Sequence, residues 1–390
     1  MANVLLPLEI ICEIINCLNS KDAVSFARSN KQMLQDACRS DFGYRVKKTV
    51  KIHDIFNTKK GNIKHQYVIG YFDCFMVQSI DELTSIPEST KKIMFDHKFN
   101  QTIRTELCRF KQLTHLIFGV QFTQSVDDLK IPCSLTHLKF GHHFNQPIDK
   151  LELPNLLTHL EFGDRFNQSV DHIVSESLTH LTLCYHFSHP LFQEKGKAGI
   201  RVSSLTHLIT RLSPSRSMNN LNFHLCNSLK YLTLCGWCSS NRAMDNLKLP
   251  NSLTHLDFGN WFDEPVDNLH LPNSLTHLDF GNAFNRPIDN LKLPDSLTHL
   301  NFGNNFRQSV DNLKLPDLLT YLNFGNMFPK TIENLKLPDS LIYLNLGLLC
   351  DRRIDYRTWP TSLKCINFGR HPETHKKNLS FFSRSYPYPL

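Results

Sequence analysis

The sequence has 390 residues, of which 41% are hydrophobic and 20% are charged, and its formal net charge is +7. Its charges are interspersed, which argues against the clustered basic face of a nucleic-acid-binding protein, and it has neither an apolar run long enough for a membrane span nor a secretory signal. Its twelve cysteines are irregularly spaced, which predicts reduced thiols in a cytosolic or nuclear setting, and we expect a cytoplasmic protein.

The first 48 residues have the pattern of a small helical module. Pro7 suits the first turn of a helix, and Ser20 and Asn30 are predicted N-caps of two more helices. The first helix carries an apolar stripe at Leu6, Ile10, Ile11, Ile14, Ile15 and Leu18. Three short helices cannot bury a core alone, so we expect another surface to cover this stripe.

A 22-residue repeat follows a connector at residues 49–75 and is expected to span residues 76–370 as 12 to 13 copies. Residues 275–281 read Leu-Thr-His-Leu-Asp-Phe-Gly, and positions are numbered here from that first leucine. The copies are irregular over residues 190–245, and residues 371–390 are left as a tail. A worn copy begins near Thr90, and full copies begin at Leu113, Leu135, Leu157, Leu178, Leu205, Leu229, Leu253, Leu275, Leu297, Leu319, Leu341 and Leu363.

One repeat predicts the fold. Leu278 and Phe280 alternate with His277 and Asp279, which is strand periodicity with the apolar pair inward. Gly281 then permits a corner, and a proline at position twenty closes the repeat. Four later side chains are expected to turn inward again: Phe284, Ile288, Leu291 and Leu293. Stacked copies predict a mostly β, leucine-rich-repeat-like solenoid, with a parallel sheet on one face, an extended outer wall and the all-α module at its N-terminus.

The repeat resembles the FNIP repeat. Residues 144–148 read Phe-Asn-Gln-Pro-Ile, residues 284–288 read Phe-Asn-Arg-Pro-Ile, and residues 166–170 are a near match. The resemblance implies a fold similar to leucine-rich repeats. Proteins that join such repeats to an F-box are typical of giant DNA viruses and social amoebae, so a viral member would act in the host cytoplasm.

The helical module resembles an F-box, since it reads Leu-Pro-x-Glu-Ile and continues with an isoleucine and leucine stripe. This resemblance implies docking on the small linker subunit of a cullin–RING ubiquitin ligase. Its contact residues would be Leu6, Pro7, Ile11, Ile14 and Leu18. The alternative is a helical cap that shields the open end of the solenoid.

Histidine recurs at position three and would form a column of rings on the exposed sheet face. Such a column could bind metal or sense pH, but a linear array offers no converging ligands, so we predict a structural ladder. The column comprises His115, His137, His159, His180, His207, His255, His277 and His299, with tyrosine in other copies at Tyr231, Tyr321 and Tyr343.

Two further patterns could carry chemistry. Aspartates at position fifteen, such as Asp267 and Asp289, are predicted to cap turns by accepting from nearby backbone amides. Cys235 and Cys238 form a lone Cys-x-x-Cys pair without a second pair. We therefore predict no catalytic residue, metal or cofactor.

Position five varies inside a frame that hardly changes, which is the pattern of a recognition surface; the alternative is free drift of an exposed site. The predicted target-binding residues are Lys139, Glu161, Asp257, Asp279, Asn301, Asn323 and Asn345. We expect this face to be concave and its changing charge to select a partner.

These features predict a non-enzymatic substrate receptor that holds a linker and cullin at one end and an unknown target protein on its repeat face. The rival hypothesis is a plain interaction scaffold outside the ubiquitin system. A weaker rival, drawn from the net charge, is nucleic-acid binding; we expect neither nucleic-acid nor membrane partners.

Overall fold

The computed structural model describes residues 46–51, 72–183, 186–189, 191–192, 200–210, 222–234, 247–329, 332, 334–347 and 359–368. The chain divides into two compact units. The first unit is Met1–Cys184 with Ile200–Val202, and the second unit is Tyr185–Gly199 with Ser203–Leu390. Within the described ranges, no helix is long and apolar enough to cross a membrane.

The first unit is a parallel sheet whose strands pair in chain order. Its strands are β1 (Val46–Lys51), β2 (Phe72–Val77), β3 (Lys92–Phe95), β4 (His115–Ile117), β5 (His137–Lys139), β6 (His159–Glu161) and β7 (His180–Leu183). A one-turn helix, α1 (Ile80–Leu83), follows β2. Because β1 and β2 pair in parallel, strand pairing begins before the first recognisable repeat.

The second unit has the same plan. Its strands are β8 (His207–Thr210), β9 (Tyr231–Leu234), β10 (His255–Asp257), β11 (His277–Asp279), β12 (His299–Asn301), β13 (Tyr321–Asn323), β14 (Tyr343–Gly347) and β15 (Cys365–Phe368). A short 3-10 turn, Phe223–Leu225, precedes β9. From β4 onward, every strand starts two residues after a predicted first leucine, so the predicted mostly β repeat solenoid is confirmed.

Equivalent residues of successive repeats pair with each other, so like side chains stack into columns. Leu278 and Phe280 are buried, as predicted. The Phe280 ring lies parallel to that of Phe302, with centroids 5.5 Å apart. Phe284 and Phe306 form a second column at 5.9 Å. Burying one phenylalanine contributes roughly 1.5–3 kcal/mol, so two such columns are a main source of stability.

In most repeats, glycine at position seven makes the corner after the strand. Gly303 has a φ of +81°, in the left-handed region. A Cβ on Gly303 would collide with the carbonyl oxygen of Gly281 in the preceding repeat. Both conformation and close approach therefore require glycine here.

The end of the repeat differs from the prediction. Leu293 is only partly buried, whereas Pro294 is buried. The Pro294 carbonyl accepts from the Leu297 amide at 3.1 Å, and the Ser296 hydroxyl donates to the Leu275 carbonyl at 2.6 Å. The inward position predicted for Leu293 is wrong, because the chain turns at the proline and buries its ring instead.

The predicted role of the position-fifteen aspartates in the second unit is also wrong. Asp267 accepts from the side-chain amide of Asn290, in the following repeat, at 3.2 Å. The next repeat makes the equivalent bond at 3.0 Å. The Leu269 amide, two residues after Asp267, is already used within the turn, since it donates to the Val266 carbonyl at 3.1 Å. The carboxylates therefore link repeats.

Several predictions fall on residues outside the described ranges. They concern the helical module before Val46 with its linker-contact residues Leu6, Pro7, Ile11, Ile14 and Leu18, the Cys235 and Cys238 pair, and the tail at residues 371–390. Within the described ranges, Cys108, Cys133, Cys226 and Cys365 are free thiols.

Candidate functional site: the strand face

The surface formed by positions three and five of the strands is called the strand face. Strand alternation explains it, because the side chains at positions four and six of the same strands are buried. In β11, for example, His277 and Asp279 are both partly exposed on either side of buried Leu278. The strand face therefore carries two parallel columns, one of rings and one of mixed polar groups.

The ring column of the first unit consists of stacked imidazoles. Centroids of His115 and His137 lie 4.1 Å apart, and those of His137 and His159 lie 4.0 Å apart. His159 and His180 continue the stack at 4.0 Å, with planes within 14° of parallel throughout. The predicted column is confirmed.

A threonine at position two sets the protonation of each ring. Thr136 Oγ1 lies 3.0 Å from the Thr114 carbonyl oxygen and 2.8 Å from His137 Nδ1. A hydroxyl has one proton, and only the hydroxyl can donate to the carbonyl, so Nδ1 must donate to Oγ1. Each neutral ring therefore carries its proton on Nδ1 and keeps an unprotonated Nε2 on the far side of the ring.

The stack also disfavours charge on the rings. Burial lowers the pKa of His137 to about 4, and the charges that His115 and His159 would carry lower it further. Burial likewise lowers the pKa of His277, in the second unit, to about 4. At neutral pH these two rings are therefore uncharged, and each presents an acceptor to solvent.

Tyrosines enter the ring column of the second unit. Tyr231 lies between His207 and His255, with centroid distances of 4.1 and 4.2 Å. The stack continues through His255, His277, His299, Tyr321 and Tyr343. Histidine and tyrosine are therefore interchangeable as stacking units here.

Position five of the first unit contains an ion pair. Lys139 Nζ lies 2.6 Å from Glu161 Oε1 across neighbouring strands. Ile117, on β4, is partly exposed beside this pair. Both charges are matched within the face, so they add little net charge to it.

Position five of the second unit forms an asparagine ladder at Asn301, Asn323 and Asn345. Asn323 Nδ2 donates to Asn301 Oδ1 at 2.8 Å, and Asn345 Nδ2 donates to Asn323 Oδ1 at 2.6 Å. Each Oδ1 also accepts from the backbone amide of the corner glycine of its own repeat, Gly325 in the case of Asn323. All three side chains are therefore bonded through both the oxygen and the amide nitrogen, and Asn345 is only 7% exposed.

The ladder begins at two aspartates. Asn301 Nδ2 donates to Asp279 Oδ2 at 2.8 Å, but Asp279 has no amide to pass on to Asp257. Burial, and then the neighbouring charge of Asp279, raise the pKa of Asp257 to about 6. Burial also raises the pKa of Asp279. Two carboxylates therefore lie side by side on β10 and β11.

All seven predicted target-binding residues thus lie on the strand face. Lys139 and Glu161 belong to the first unit, and the other five form one column in the second. The asparagine ladder was not predicted, although asparagine recurs every 22 residues at residues 301, 323 and 345. Within the described ranges, no group of three or more histidine, cysteine, aspartate or glutamate side chains could hold a metal ion.

The FNIP repeat family matches residues 144–183, 241–283, 284–327 and 308–349. These segments are FNIP repeats, so that part of the resemblance is confirmed. No curated protein matches the chain.

Solved structures show related folds. CroV588, a novel circular LRR protein, is 29% identical, with 82% of this chain and 58% of that chain covered and a TM-score of 0.50. The TLR13–ssRNA13 complex is 11% identical, with coverage of 83% and 54% and a TM-score of 0.50, which shows the fold alone. An internalin from Listeria monocytogenes is 15% identical, with coverage of 75% and 90% and a TM-score of 0.38. The chain spans less than three fifths of the length of CroV588 and of the TLR13 chain.

Proposed function

We propose that this protein is a substrate receptor of a cullin–RING ubiquitin ligase. In this proposal the N-terminal module binds the linker subunit, and the strand face binds a target protein. A leucine-rich-repeat-like solenoid is typical of non-enzymatic scaffolds that bind other proteins, which supports the binding role. Ubiquitin transfer would be catalysed by the other subunits.

The observation that carries the target-binding half is the chemistry of the strand face. Its frame repeats with little change, whereas position five changes from an ion pair at Lys139 and Glu161 to carboxylates at Asp257 and Asp279. A fixed frame with varied polar groups gives register and selectivity to a protein interface. The two units therefore offer different charge patterns on one kind of surface.

The linker-binding half rests on the F-box-like sequence. Ile11 and Ile14 are central to its apolar stripe, and a buried charge there would be incompatible with docking on an apolar surface. Affinity purification of the full chain, beside the Ile11→Asp, Ile14→Asp variant, tests this. We expect linker and cullin to co-purify with the wild type and to be lost with the variant.

The alternative is a plain scaffold whose N-terminal helices only cap the repeats. It predicts that wild type and variant retain the same partners and that neither retains linker or cullin. An Ile11→Leu, Ile14→Leu variant is the matched control, because it keeps the stripe apolar at the same positions. Loss of linker with this control as well would point to misfolding rather than to a broken contact.

A further inference from the structure

One region of the strand face combines acceptor nitrogens of the ring column with carboxylates that have no counter-charge among the described residues. It lies on β10 and β11 and consists of His255, Asp257, His277 and Asp279, which we call the acceptor patch. The paired strands place the two rings 4.0 Å apart, with the two carboxylates beside them in register. All four side chains are partly exposed.

Both rings of the acceptor patch present acceptors. Thr276 Oγ1 donates to the Thr254 carbonyl at 3.0 Å and lies 2.9 Å from His277 Nδ1, so Nδ1 donates and Nε2 is unprotonated. The same arrangement holds at His255, where Thr254 Oγ1 donates to the Lys230 carbonyl. Among the described residues, no group donates to either Nε2.

The carboxylates add negative charge without a matching cation. Asp257 Oδ1 accepts from the Gly259 amide at 2.7 Å, and no described residue donates to its Oδ2. Asp279 accepts from the Gly281 amide and from Asn301, both of which are neutral. No described lysine or arginine nitrogen lies within 4 Å of either carboxylate. Partly buried charges without a counter-charge cost free energy, so a cation from outside the chain would be bound favourably.

Among the residues that the structure describes, the rest of the strand face has no carboxylates without a counter-charge. Lys139 and Glu161 neutralise each other, and the asparagine ladder is uncharged and bonded from one side chain to the next. The chain as a whole is positively charged, at +7, so a cationic partner gains nothing from its net charge. Any attraction must therefore be local to the acceptor patch.

We propose that the acceptor patch docks an arginine-bearing segment of a partner protein. A guanidinium has five donors and no acceptor, which complements a surface with acceptors only, and its planar fork can serve a carboxylate and a neighbouring group at once. It is also less strongly hydrated than an ammonium, so it enters a half-buried site at lower cost. This inference rests on the proposal that the strand face binds a protein, and it names the chemistry of that partner.

Fluorescence anisotropy with the full-length chain tests this inference directly. The probe is a labelled peptide of alternating glycine and arginine with three arginines, and its matched control carries citrulline, which is the neutral isostere of arginine. We expect the arginine peptide to bind and the Asp257→Asn, Asp279→Asn variant to bind at least about tenfold more weakly. Asparagine is already accommodated at Asn301 and Asn323, so this variant should fold.

Two further variants complete the design. His277→Phe keeps a ring in the column but removes Nε2, and we expect a several-fold loss of affinity. Glu161→Gln removes a carboxylate from the other unit and should leave binding unchanged. Equal binding of the citrulline peptide, equal binding by the double asparagine variant, or no binding by the wild type would each overturn the inference. Linker co-purification does not depend on these side chains, so failure here is distinguishable from failure of the ligase proposal.

Discussion

Replacing Asp279 with asparagine should stabilise the second unit. The new side chain would place an amide where Asp279 now faces Asp257, and it would extend the asparagine ladder by one step. The introduced amide would donate to Asp257 with the geometry by which Asn323 donates to Asn301 at 2.8 Å. The variant exchanges a repulsion between two carboxylates for a hydrogen bond to one.

The net gain is modest because the fold also loses something. A hydrogen bond to a charged acceptor contributes about 1.5–3 kcal/mol. The Gly281 amide and Asn301 Nδ2 now bind different oxygens of Asp279, Oδ1 and Oδ2. In the variant both would have to donate to one neutral oxygen, as the equivalent groups do at Asn323, which costs part of that gain. We expect a net stabilisation of about 1 kcal/mol, which raises the melting temperature by about 2–4 °C in a unit of this size.

The gain should depend on pH in a defined direction. Burial and the charge of Asp279 raise the pKa of Asp257 to about 6, so the folded state binds its proton more tightly than the unfolded state does. The carboxylate pair is therefore most costly above about pH 6, and its cost is relieved as the pH falls towards 4. Asp279→Asn should consequently stabilise most at pH 7.5 and least near pH 4.5.

Denaturant unfolding of the full chain at several pH values is the assay, with Asn323→Asp as the opposing variant. That variant removes the bond to Asn301 and puts a charge inside the ladder, so it should be destabilising by about 1–2 kcal/mol. A neutral or destabilising Asp279→Asn, with an unaffected Asn323→Asp, would refute the ladder as a source of stability.

Three other changes test the parts of the repeat that vary little between copies: the ring column, the corner glycine and the closing turn. Acidification from pH 6.5 to 4 should destabilise the first unit. Burial and neighbouring rings lower the pKa of His137 to about 4, so the unfolded chain takes up a proton at a higher pH than the folded chain does. Solvent screening of the half-exposed ring limits the loss of stability to about 1 kcal/mol, and His137→Tyr should reduce that loss when unfolding is measured against pH. Gly303→Ala should cost more than about 3 kcal/mol in thermal unfolding, because its Cβ would meet the Gly281 carbonyl and its φ is +81°. Ser296→Ala should cost about 1 kcal/mol in denaturant unfolding by removing the 2.6 Å bond to Leu275.

Each of these three predictions has its own control or contradicting outcome. Tyrosine occurs in the ring column at Tyr231, so His137→Tyr should not disturb packing at pH 8, and a loss of stability there would invalidate the comparison. Asn305→Ala, two residues after Gly303 and exposed, should change stability little; an equal loss at both positions would contradict the corner argument. An unchanged midpoint for Ser296→Ala would mean that this hydroxyl bonds equally well to water.

The strands could be predicted from the sequence because the preference of a side chain for the core depends mainly on that side chain itself. Leucine at position four and phenylalanine at position six marked the inward side, and from β4 onward each strand begins where this alternation placed it. The same reasoning failed at Leu293, since a proline at the start of a turn can bury its own ring in place of a neighbouring leucine.

The sequence by itself determined the period, the inward residues and the glycine corners, because each of these depends on local geometry and on apolar surface. Only the tertiary structure decided what the polar side chains do. Whether Asp267 caps its own turn or binds Asn290, and whether Asn323 is free or bonded on both sides, depends on which atoms of the neighbouring repeat come within hydrogen-bonding distance. Stacking alone sets those distances, and it leaves the carboxylates of Asp257 and Asp279 as the part of the asparagine column that the fold does not complete.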